Sequence, residues 1–281
     1  MSTNYTWYDT QVFEWANNAW SQIGGNIVIN NTTSVHLDYD GSALIIGSHV
    51  GQLANNTTQA KIFTYSGSSW IQQGDSLPVG WVGAMNRDGS IVAVSSRTGS
   101  STHHARIYEW NASDSSWDQK GSNINMGTAG SIRPDFSLSS DGNVICIQSS
   151  NSNGTGLRVY YWDDTDSDWK MKGSTIMGVG YKNGLYGTEI SNDGLTLLVG
   201  FGSWSSTVGI NYQEAEIRIY TWNQTDDTWE LVGKIEDESY STSGISGSEN
   251  RYLGSLSKNG NRFAIGGELS SYVKVYQISN S

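Results

Sequence analysis

Short runs of apolar residues recur along the chain, and each run follows a two-residue turn signal. The signal is Asp-Gly four times and Asn-Gly once, at intervals of roughly fifty residues. Its copies are Asp40-Gly41, Asp88-Gly89, Asp141-Gly142, Asp193-Gly194 and Asn259-Gly260. These dipeptides between apolar segments predict β-hairpins with type I′ turns, in which both central residues take a positive φ.

Apolar strands are predicted on both sides of each turn. Three residues before the turn there is one apolar side chain, in order Leu37, Met85, Leu138, Ile190 and Leu256. After the turn the apolar residues are consecutive, as in Leu44-Ile45-Ile46 and Leu197-Leu198-Val199. A strand that is apolar at successive positions is buried on both faces, so these strands belong inside a packed β-structure.

A second hairpin follows in each of the first four repeats. Its first strand runs from a basic to an aromatic residue: Lys61 to Tyr65, Arg106 to Trp110, Arg158 to Trp162 and Arg218 to Trp222. Its second strand runs from a Trp to a Gly: Trp70 to Gly74, Trp117 to Gly121, Trp169 to Gly173 and Trp229 to Gly233. Each repeat therefore contains four strands, named a, b, c and d in chain order. Units of this size and content predict an all-β fold, a five-bladed β-propeller with four-stranded antiparallel blades.

The two ends of the chain complement each other. The C-terminus supplies strands a, b and c of a fifth repeat, and the N-terminus supplies a c-like strand at 11–15 and a d-like strand at 20–24. We therefore expect a single β-propeller domain over 1–281, closed by N-terminal strands that complete the C-terminal blade. The expected blades are 33–77, 81–124, 134–176, 186–235 and 252–278 plus 11–27. One c-like strand is left over. We expect it to form a fifth strand of the closing blade. The alternatives are a six-bladed parent that lost half a blade, or pairing with another molecule.

The repeats resemble those of known β-propellers. The segment from Phe136 to Ile147 is similar to the a–b hairpin of WD-repeat and TolB-like propellers. The Tyr-x-Trp strands and their following Trp…Gly strands resemble repeats of uncharacterised microbial, algal and viral propellers. The resemblance covers nearly the whole chain and implies the fold, but propellers include lectins, scaffolds and enzymes. The Gly-His and Trp-Asp dipeptides of WD repeats are missing from their usual places, and so is the Asp-x-Gly-x-x-Trp box of sialidases.

The composition agrees with a β-rich protein and excludes several classes. Among 281 residues there are 33 Gly, 12 Trp and only 2 Pro, and 15% are charged, against about 25% in an average globular protein. A net charge of −11 argues against a nucleic-acid partner. No apolar run reaches the roughly 18–20 residues of a membrane span, and we see no signal peptide, so no membrane insertion is expected. The location stays open: cytoplasmic by default, or a virion or cell surface by another route. Cys146 is the only cysteine, which excludes an internal disulfide and zinc-binding Cys clusters.

Function is expected on the face that carries the b–c and d–a connections. These connections vary in length while the a–b turns are tight, and binding residues concentrate on variable loops held by a rigid frame. Aromatic side chains there can stack on a sugar ring while polar neighbours bind its hydroxyls. The predicted ligand-binding residues are Trp81, Arg133, Tyr181, Tyr186, Trp204, Tyr212, Tyr240 and Tyr252. The alternative is that these side chains pack between blades or fix their own loops.

Fewer titratable residues are candidates for a functional site than the ligand-binding residues named above. His36 and Glu189 occupy equivalent positions of strand a, where they are predicted to line the central channel and could form a polar pair. His103 and His104 precede a strand c, and adjacent side chains on an extended segment point in opposite directions. The acidic run 163–168 has the alternating carboxylates of a calcium loop but lacks its glycine and its terminal glutamate. We therefore predict a polar c–d turn there, and no metal site or cofactor.

Three functions are compatible with this reading. The leading hypothesis is a non-catalytic recognition module that binds carbohydrate, in the manner of a lectin, or another surface ligand. The second is a structural or assembly subunit, viral or from a cell-surface appendage, that uses the propeller as a protein-interaction scaffold and could form a homo-oligomer. The third is a hydrolase or lyase that uses Glu189, His36 or the His103-His104 pair. No nucleophile elbow, phosphate-binding glycine loop or metal-binding His-Glu motif occurs, so no enzyme activity is expected.

Overall fold

The structure, a computed structural model, describes residues 9–50, 57–78, 80, 83–96, 102–128, 136–151, 154–178, 184–202, 215–236, 252–267 and 273–278. Strands and turns make up these residues, and none of them forms a helix long and apolar enough to cross a membrane. The sheets are the blades of a five-bladed β-propeller, as the repeats predict. The chain divides into two compact units, Met1–Asn123 and Ile124–Ser281, and each is described by itself.

The first unit contains two small N-terminal sheets and the first two blades. Its strands are β1 (Asp9–Thr10), β2 (Phe13–Ala16), β3 (Ala19–Gln22), β4 (Ile27–Val28), β5 (Thr32–Leu37), β6 (Ala43–Val50), β7 (Thr57–Tyr65), β8 (Trp70–Gln72), β9 (Gly83–Met85), β10 (Ile91–Ser96), β11 (Thr102–Asn111) and β12 (Ser116–Gln119). β1 pairs with β4 and β2 with β3. The blades are the antiparallel sheets β5-β6-β7-β8 and β9-β10-β11-β12.

The second unit contains the other three blades. Its strands are β13 (Ile124–Thr128), β14 (Phe136–Leu138), β15 (Val144–Asn151), β16 (Gly154–Asp163), β17 (Asp168–Met171), β18 (Ile176–Met177), β19 (Gly184–Ile190), β20 (Thr196–Gly202), β21 (Ala215–Asn223), β22 (Thr228–Glu236), β23 (Tyr252–Leu256), β24 (Arg262–Gly267) and β25 (Val273–Gln277). The blades are β14-β15-β16-β17, β19-β20-β21-β22 and β23-β24-β25, all antiparallel. β18 continues along the third blade by pairing with β16.

All five a–b hairpins form, but their turns are not of the predicted type. Only the glycine takes a positive φ, 70° at Gly142 for example. The Ser139 amide donates to the Val144 carbonyl, so the loop holds four residues. The Ser139 hydroxyl accepts from the Val144 amide at 2.9 Å and donates to Asp141 Oδ1 at 2.6 Å. The type I′ prediction was wrong because the residue two positions before the turn dipeptide closes a four-residue loop, and it does so equally where that residue is Asp38 or Asn86.

The a–b loops are also joined from one blade to the next. The Ser140 amide donates to the Asn192 carbonyl, and the Asn192 amide donates to the Lys258 carbonyl, both at 2.8 Å. In the first unit the Tyr39 amide donates to the Arg87 carbonyl at 3.1 Å. The residue between the serine position and the aspartate therefore links neighbouring blades through its backbone, whatever its side chain.

In three of the blades a tryptophan at the start of strand d links the blade to the strand segment before it. Trp70 Nε1 donates to the Ile23 carbonyl at 3.1 Å, and Trp117 Nε1 donates to the Gln73 carbonyl at 2.9 Å. In the second unit Trp229 Nε1 donates to the Lys172 carbonyl at 2.9 Å. Each accepting carbonyl directly precedes the glycine that ends the earlier d segment. We call this arrangement the Trp clasp.

The glycine of the clasp is needed for two reasons. Gly74 and Gly173 have φ of 68° and 74°, a conformation that side chains other than glycine rarely adopt. A Cβ on Gly173 would also lie 2.9 Å from Cζ3 of Trp222 and 3.0 Å from Cδ1 of Trp229. The ring of the next blade therefore lies directly on the glycine, which explains the Trp…Gly spacing.

The apolar core lies between neighbouring blades. Met85 of the second blade packs in one cluster with Ile45 and Ile62 of the first. Leu256 of the fifth blade packs with Leu198 of the fourth. Three of the five strand-a residues predicted from the turn spacing (Met85, Ile190 and Leu256) are buried. Leu37 is instead 41% exposed, and Leu138 is partly buried.

Strand d of the fourth blade departs from the repeat. β22 has nine residues, whereas β8, β12 and β17 have three or four. Tyr220 pairs with Leu231 but Ile219 pairs with Gly233, so Val232 forms a bulge. Gly233 is not among the positive-φ glycines. The strand consequently continues past the glycine and brings Lys234 beside Arg218.

The N-terminal hairpin and the C-terminal sheet are described as separate sheets. β2 and β3 are joined by Asn17 and Asn18, whose φ values of 54° and 60° fit a type I′ turn. Trp15 and Trp20 pair across this hairpin at 5.5 Å between ring centroids and are 55% and 67% exposed. Among the described residues the C-terminal sheet has three strands. Closure of the ring by N-terminal strands stays a prediction, as does the single domain.

The first a–b loop carries Asp38 where three later blades have serine. The Asp38 side chain is 8% exposed and accepts from Ser42 Oγ at 3.1 Å. Burial raises the pKa of Asp38, and the nearby charge of Asp40 raises it further, against hydrogen bonds from Ala43 and Ser42. Because the folded state holds the proton more tightly, the ionised carboxylate at neutral pH weakens the fold.

We expect the Gly173→Ala variant to unfold at clearly lower urea concentration than Gly67→Ala. Both glycines have a positive φ, but a Cβ on Gly67 meets nothing within 4 Å. Both variants lose roughly 1–2 kcal/mol to backbone strain, and Gly173→Ala loses about 1–3 kcal/mol more because its methyl group collides with the Trp clasp. Equal losses in urea unfolding would contradict the clasp.

We expect Asp38→Ser to raise the free energy of unfolding by about 1 kcal/mol at pH 7. The gain should vanish in acid, because a raised folded pKa costs stability only as pH rises above the unfolded value near 4.

Asp141→Asn is the control, and its effect on stability at neutral pH should have the opposite sign. Burial acts to raise the pKa of Asp141, but hydrogen bonds from Ser139 and Asn143 outweigh it, so the pKa is lowered. Its variant should lose stability at neutral pH and not in acid. A stability difference between Asp38→Ser and the wild type that stays the same from pH 3 to 8 would refute the assignment.

Candidate functional site

Most of the predicted ligand-binding residues lie outside the described residues. These are Trp81, Arg133, Tyr181, Trp204, Tyr212 and Tyr240. Tyr252 begins β23, and Tyr186 lies in β19 at a register shift between Leu185 and Gly187. Both tyrosines are therefore on strand a, where the spacing from the turn predicts them. Their assignment to a ligand site stays a prediction.

Glu189 connects two neighbouring a strands. Its Oε2 accepts from the Leu256 amide at 2.6 Å and from Ser255 Oγ at 3.5 Å. Ser137, at the equivalent position of the third blade, likewise accepts from the Ile190 amide at 3.1 Å. Burial raises the pKa of Glu189, although these hydrogen bonds and the charge of Lys258 oppose the rise. A structural role of this carboxylate is therefore evident, while its predicted place in a channel lining and its pairing with His36, which is exposed on β5, stay predictions.

Buried polar side chains occupy the ends of strand b on the face that carries the b–c connections. Ser48 Oγ donates to the Gln59 carbonyl at 3.4 Å, and Ser149 Oγ donates to the Gly156 carbonyl at 3.2 Å. Gln148 is 4% exposed and donates from Nε2 to the Leu185 carbonyl of the next blade at 3.1 Å. These bonds fix the strand ends from which the connections begin.

The fourth blade contains a buried ion cluster close to the same face. Glu216, 1% exposed, pairs with the Arg218 guanidinium, and its Oε2 lies 3.4 Å from Lys234 Nζ. Arg218 Nη1 also donates to the Met177 carbonyl at 3.0 Å. The guanidinium lies 4.6 Å from the centroid of the Phe201 ring. A buried carboxylate paired in this way is neutralised by two cations, so it is engaged in structure rather than set free for proton transfer.

Arg218 occupies the basic position that begins the aromatic part of each strand c. In the third blade Arg158 Nη1 donates to the Asn125 carbonyl at 3.4 Å, equivalent to the bond from Arg218 to Met177. The second blade has Arg106 at this position, and its Nε is buried without a hydrogen-bond partner. The repeat therefore places an arginine between blades, and its partners differ from blade to blade.

The histidine pair lies inside β11, and the prediction that it precedes strand c was wrong because this strand already begins at Thr102. His103 is 4% exposed, whereas His104 is partly exposed, in agreement with opposite orientations on a strand. His104 pairs in register with Ser96, and Arg106 with Val94. Within the described residues no group of three His, Cys, Asp or Glu side chains could hold a metal ion.

The acidic run forms a c–d turn that contains its own cation. Lys170 Nζ lies 2.6 Å from Asp163 Oδ2 and 2.6 Å from Asp166 Oδ2. Asp164 Oδ1 accepts from Trp162 Nε1 at 2.9 Å. The bond from Lys170, together with backbone donors at Asp166 and Thr165, lowers the pKa of Asp163 to about 2. These contacts agree with the predicted polar turn, since Lys170 pairs with two of its carboxylates.

Sequence reasoning missed the ion cluster of the fourth blade. Its signal was visible, because only this repeat has an acidic residue two positions before the basic residue of strand c. The bulge that brings Lys234 into the cluster had no comparable signal, since Leu231, Val232 and Gly233 fit the repeat with or without an extra residue.

No protein-family model matches the chain, and no curated protein matches it. A functionally unknown protein from Desulfotomaculum acetoxidans matches with a TM-score of 0.60 at 15% identity, covering 95% of this chain and 74% of that chain. Hydrazine synthase from Kuenenia stuttgartiensis matches with a TM-score of 0.57 at 14% identity, covering 96% and 78%. A periplasmic gluconolactonase from Pseudomonas aeruginosa matches with a TM-score of 0.57 at 12% identity, covering 96% and 75%. At these identities the similarity shows the fold alone.

We expect Glu216→Gln to destabilise the protein by roughly 3–5 kcal/mol, because Arg218 would be left buried without a counter-charge. Lys170→Met, which removes two ion pairs at the surface, should lower stability far less, since exposed pairs contribute little. Urea unfolding at pH 7 measures both. A Glu216→Gln variant as stable as Lys170→Met would show that the cluster does not support the fold.

Proposed function

We propose that this protein is a non-catalytic recognition module. Its ligand is a carbohydrate, or another surface ligand of similar chemistry, bound on the face that carries the b–c and d–a connections. The binding residues are those named from the sequence: Trp81, Arg133, Tyr181, Tyr186, Trp204, Tyr212, Tyr240 and Tyr252. Aromatic rings would stack on the sugar while polar neighbours bind its hydroxyls.

The observation that carries the proposal is the state of the buried carboxylates near the strand ends. Glu216 is neutralised by Arg218 and Lys234, and Glu189 accepts a backbone amide of the next blade. General acid–base catalysis needs a carboxyl group that can reach a substrate and exchange a proton. In the described part of the chain these two acids are committed to structure, which supports recognition over hydrolysis.

The frame beneath the connections also supports recognition. Ser48, Gln148 and Ser149 bind backbone carbonyls at the ends of strand b, so the connections start from fixed points. Variable loops on a fixed frame can change specificity without cost to the fold. A hydrolase remains the weaker candidate, because the similarity to a gluconolactonase extends only to the fold.

A second candidate function is that of a structural or assembly subunit. The observation that favours it is apolar exposure on edge strands, with Val273 and Val275 of β25 being 71% and 70% exposed. Exposed apolar edge strands favour pairing with another chain. A protein partner or a second copy would then take the place of the glycan. Light scattering of the purified chain separates the two, because a monomer across concentrations contradicts assembly through copies of itself.

A glycan array followed by titration of tryptophan fluorescence tests the recognition proposal. We expect at least one glycan class to bind and Trp81→Ala to weaken it about tenfold, a change of about 1.4 kcal/mol that matches the loss of one stacking contact. Trp7→Ala is the matched control, because Trp7 also lies outside the repeated strands but is not assigned to the site. Silence across a broad panel, or equal binding by Trp81→Ala and the wild type, would contradict the proposal.

A further inference from the structure

The repeated arginine of strand c differs in its surroundings between the second and fourth blades. Arg106 and Arg218 hold the same place in the repeat, and each pairs in register with a valine of strand b, Val94 and Val199. Each precedes by two residues a buried tyrosine, Tyr108 and Tyr220. The two positions are therefore matched in backbone and in neighbouring side chains, and they can be compared directly.

The fourth blade shows what this position binds. Glu216 lies two residues before Arg218 on the same face of β21, and its carboxylate pairs with the guanidinium. A guanidinium presents donors in a planar fork that fits a carboxylate, and such charge-assisted bonds are among the strongest in proteins. The fourth blade is thus an internal example of a carboxylate held at this site.

The second blade lacks that carboxylate. The residue two positions before Arg106 is His104, and the two lie on the same face of β11. β12 ends at Gln119, before the position that Lys234 holds in strand d of the fourth blade. Within the described residues Arg106 makes no ion pair, and its buried Nε has no acceptor. A guanidinium N–H removed from water without an acceptor is costly, and an incoming oxyanion would remove that cost.

We propose that Arg106, with His104 beside it, binds the carboxylate of an acidic sugar. The carboxylate takes the place that Glu216 fills in the fourth blade, accepting from the Arg106 guanidinium. Its recognition as a sugar rests on the proposed function, whereas the carboxylate site rests on the comparison of the two blades. In a chain with a net charge of −11, a cationic side chain without an internal counter-charge favours an anionic ligand at that point.

NMR titration with D-glucuronate, D-glucose and propionate tests the proposal, with the Arg106 Nε–Hε resonance as the direct readout. We expect glucuronate to shift this resonance and to bind the Arg106→Gln variant at least about tenfold more weakly, the loss typical of a charge-assisted bond. Arg158→Gln is the matched control, because Arg158 holds the same position in the third blade and already donates to Asn125. Its affinity for glucuronate should equal that of the wild type.

His104→Glu provides an independent variant that keeps Arg106. It places a carboxylate where the fourth blade has Glu216, so we expect it to raise the unfolding temperature and to abolish glucuronate binding. Glucuronate affinity that is unchanged in Arg106→Gln, or binding that persists in His104→Glu, overturns the site. Glucose that binds as tightly as glucuronate and independently of Arg106 also overturns it while leaving the proposed function in place. Propionate that binds as tightly as glucuronate overturns the sugar as the ligand. The absence of binding by all three overturns both proposals.

Discussion

The Trp clasp is the interaction on which the rest of the structure depends. Neighbouring blades are linked by single backbone hydrogen bonds between their a–b loops, such as that from Ser140 to Asn192. Trp117 and Trp229 add a side-chain connection, in which the ring lies on a glycine and donates one hydrogen bond to a carbonyl. A tryptophan as buried as Trp117 removes about 150–250 Å² from water, which at about 25 cal/mol per Å² is roughly 4–6 kcal/mol. The bond adds about 1 kcal/mol and, more importantly, fixes the register between blades.

This clasp accounts for the unusual composition. Each copy needs two aromatic residues and one glycine, and each a–b loop needs another glycine with a positive φ. Few positions remain that require charge, because the contacts between blades are apolar or made by backbone groups. The charges that do enter the contacts between blades, such as Arg218, must bring their own partners, since a lone buried charge is expensive. The low charge content and the internal ion cluster are therefore two results of the same constraint.

The sequence predicted the repeated features well and the local exceptions poorly. The a–b hairpins and the c and d strands were predictable because the same residues recur at the same spacing. A pattern that recurs in several repeats does not depend on the residue at any single position. The turn type was not, because two loops share the Asp-Gly signal, and the four-residue loop forms whether the residue that closes it is Asp38, Asn86 or Ser139. The ligand residues on the connections, including Trp81 and Tyr240, occur once each, and a residue that occurs once has no repeat against which to judge it.

The same reasoning shows why single departures from the repeat are the informative positions. Four blades pack with the same residues at equivalent positions. A departure in one blade can therefore be compared with the residues at that position in the other three. Asp38 in place of serine keeps the loop but costs stability at neutral pH, which marks it as tolerated rather than required for folding. His104, at the place equivalent to Glu216, leaves Arg106 with no ion pair among the described residues and with a buried Nε that has no acceptor. A protein can retain an unpaired arginine where a ligand supplies the opposite charge. Binding of that ligand then stabilises the folded state and offsets the cost of the unpaired guanidinium.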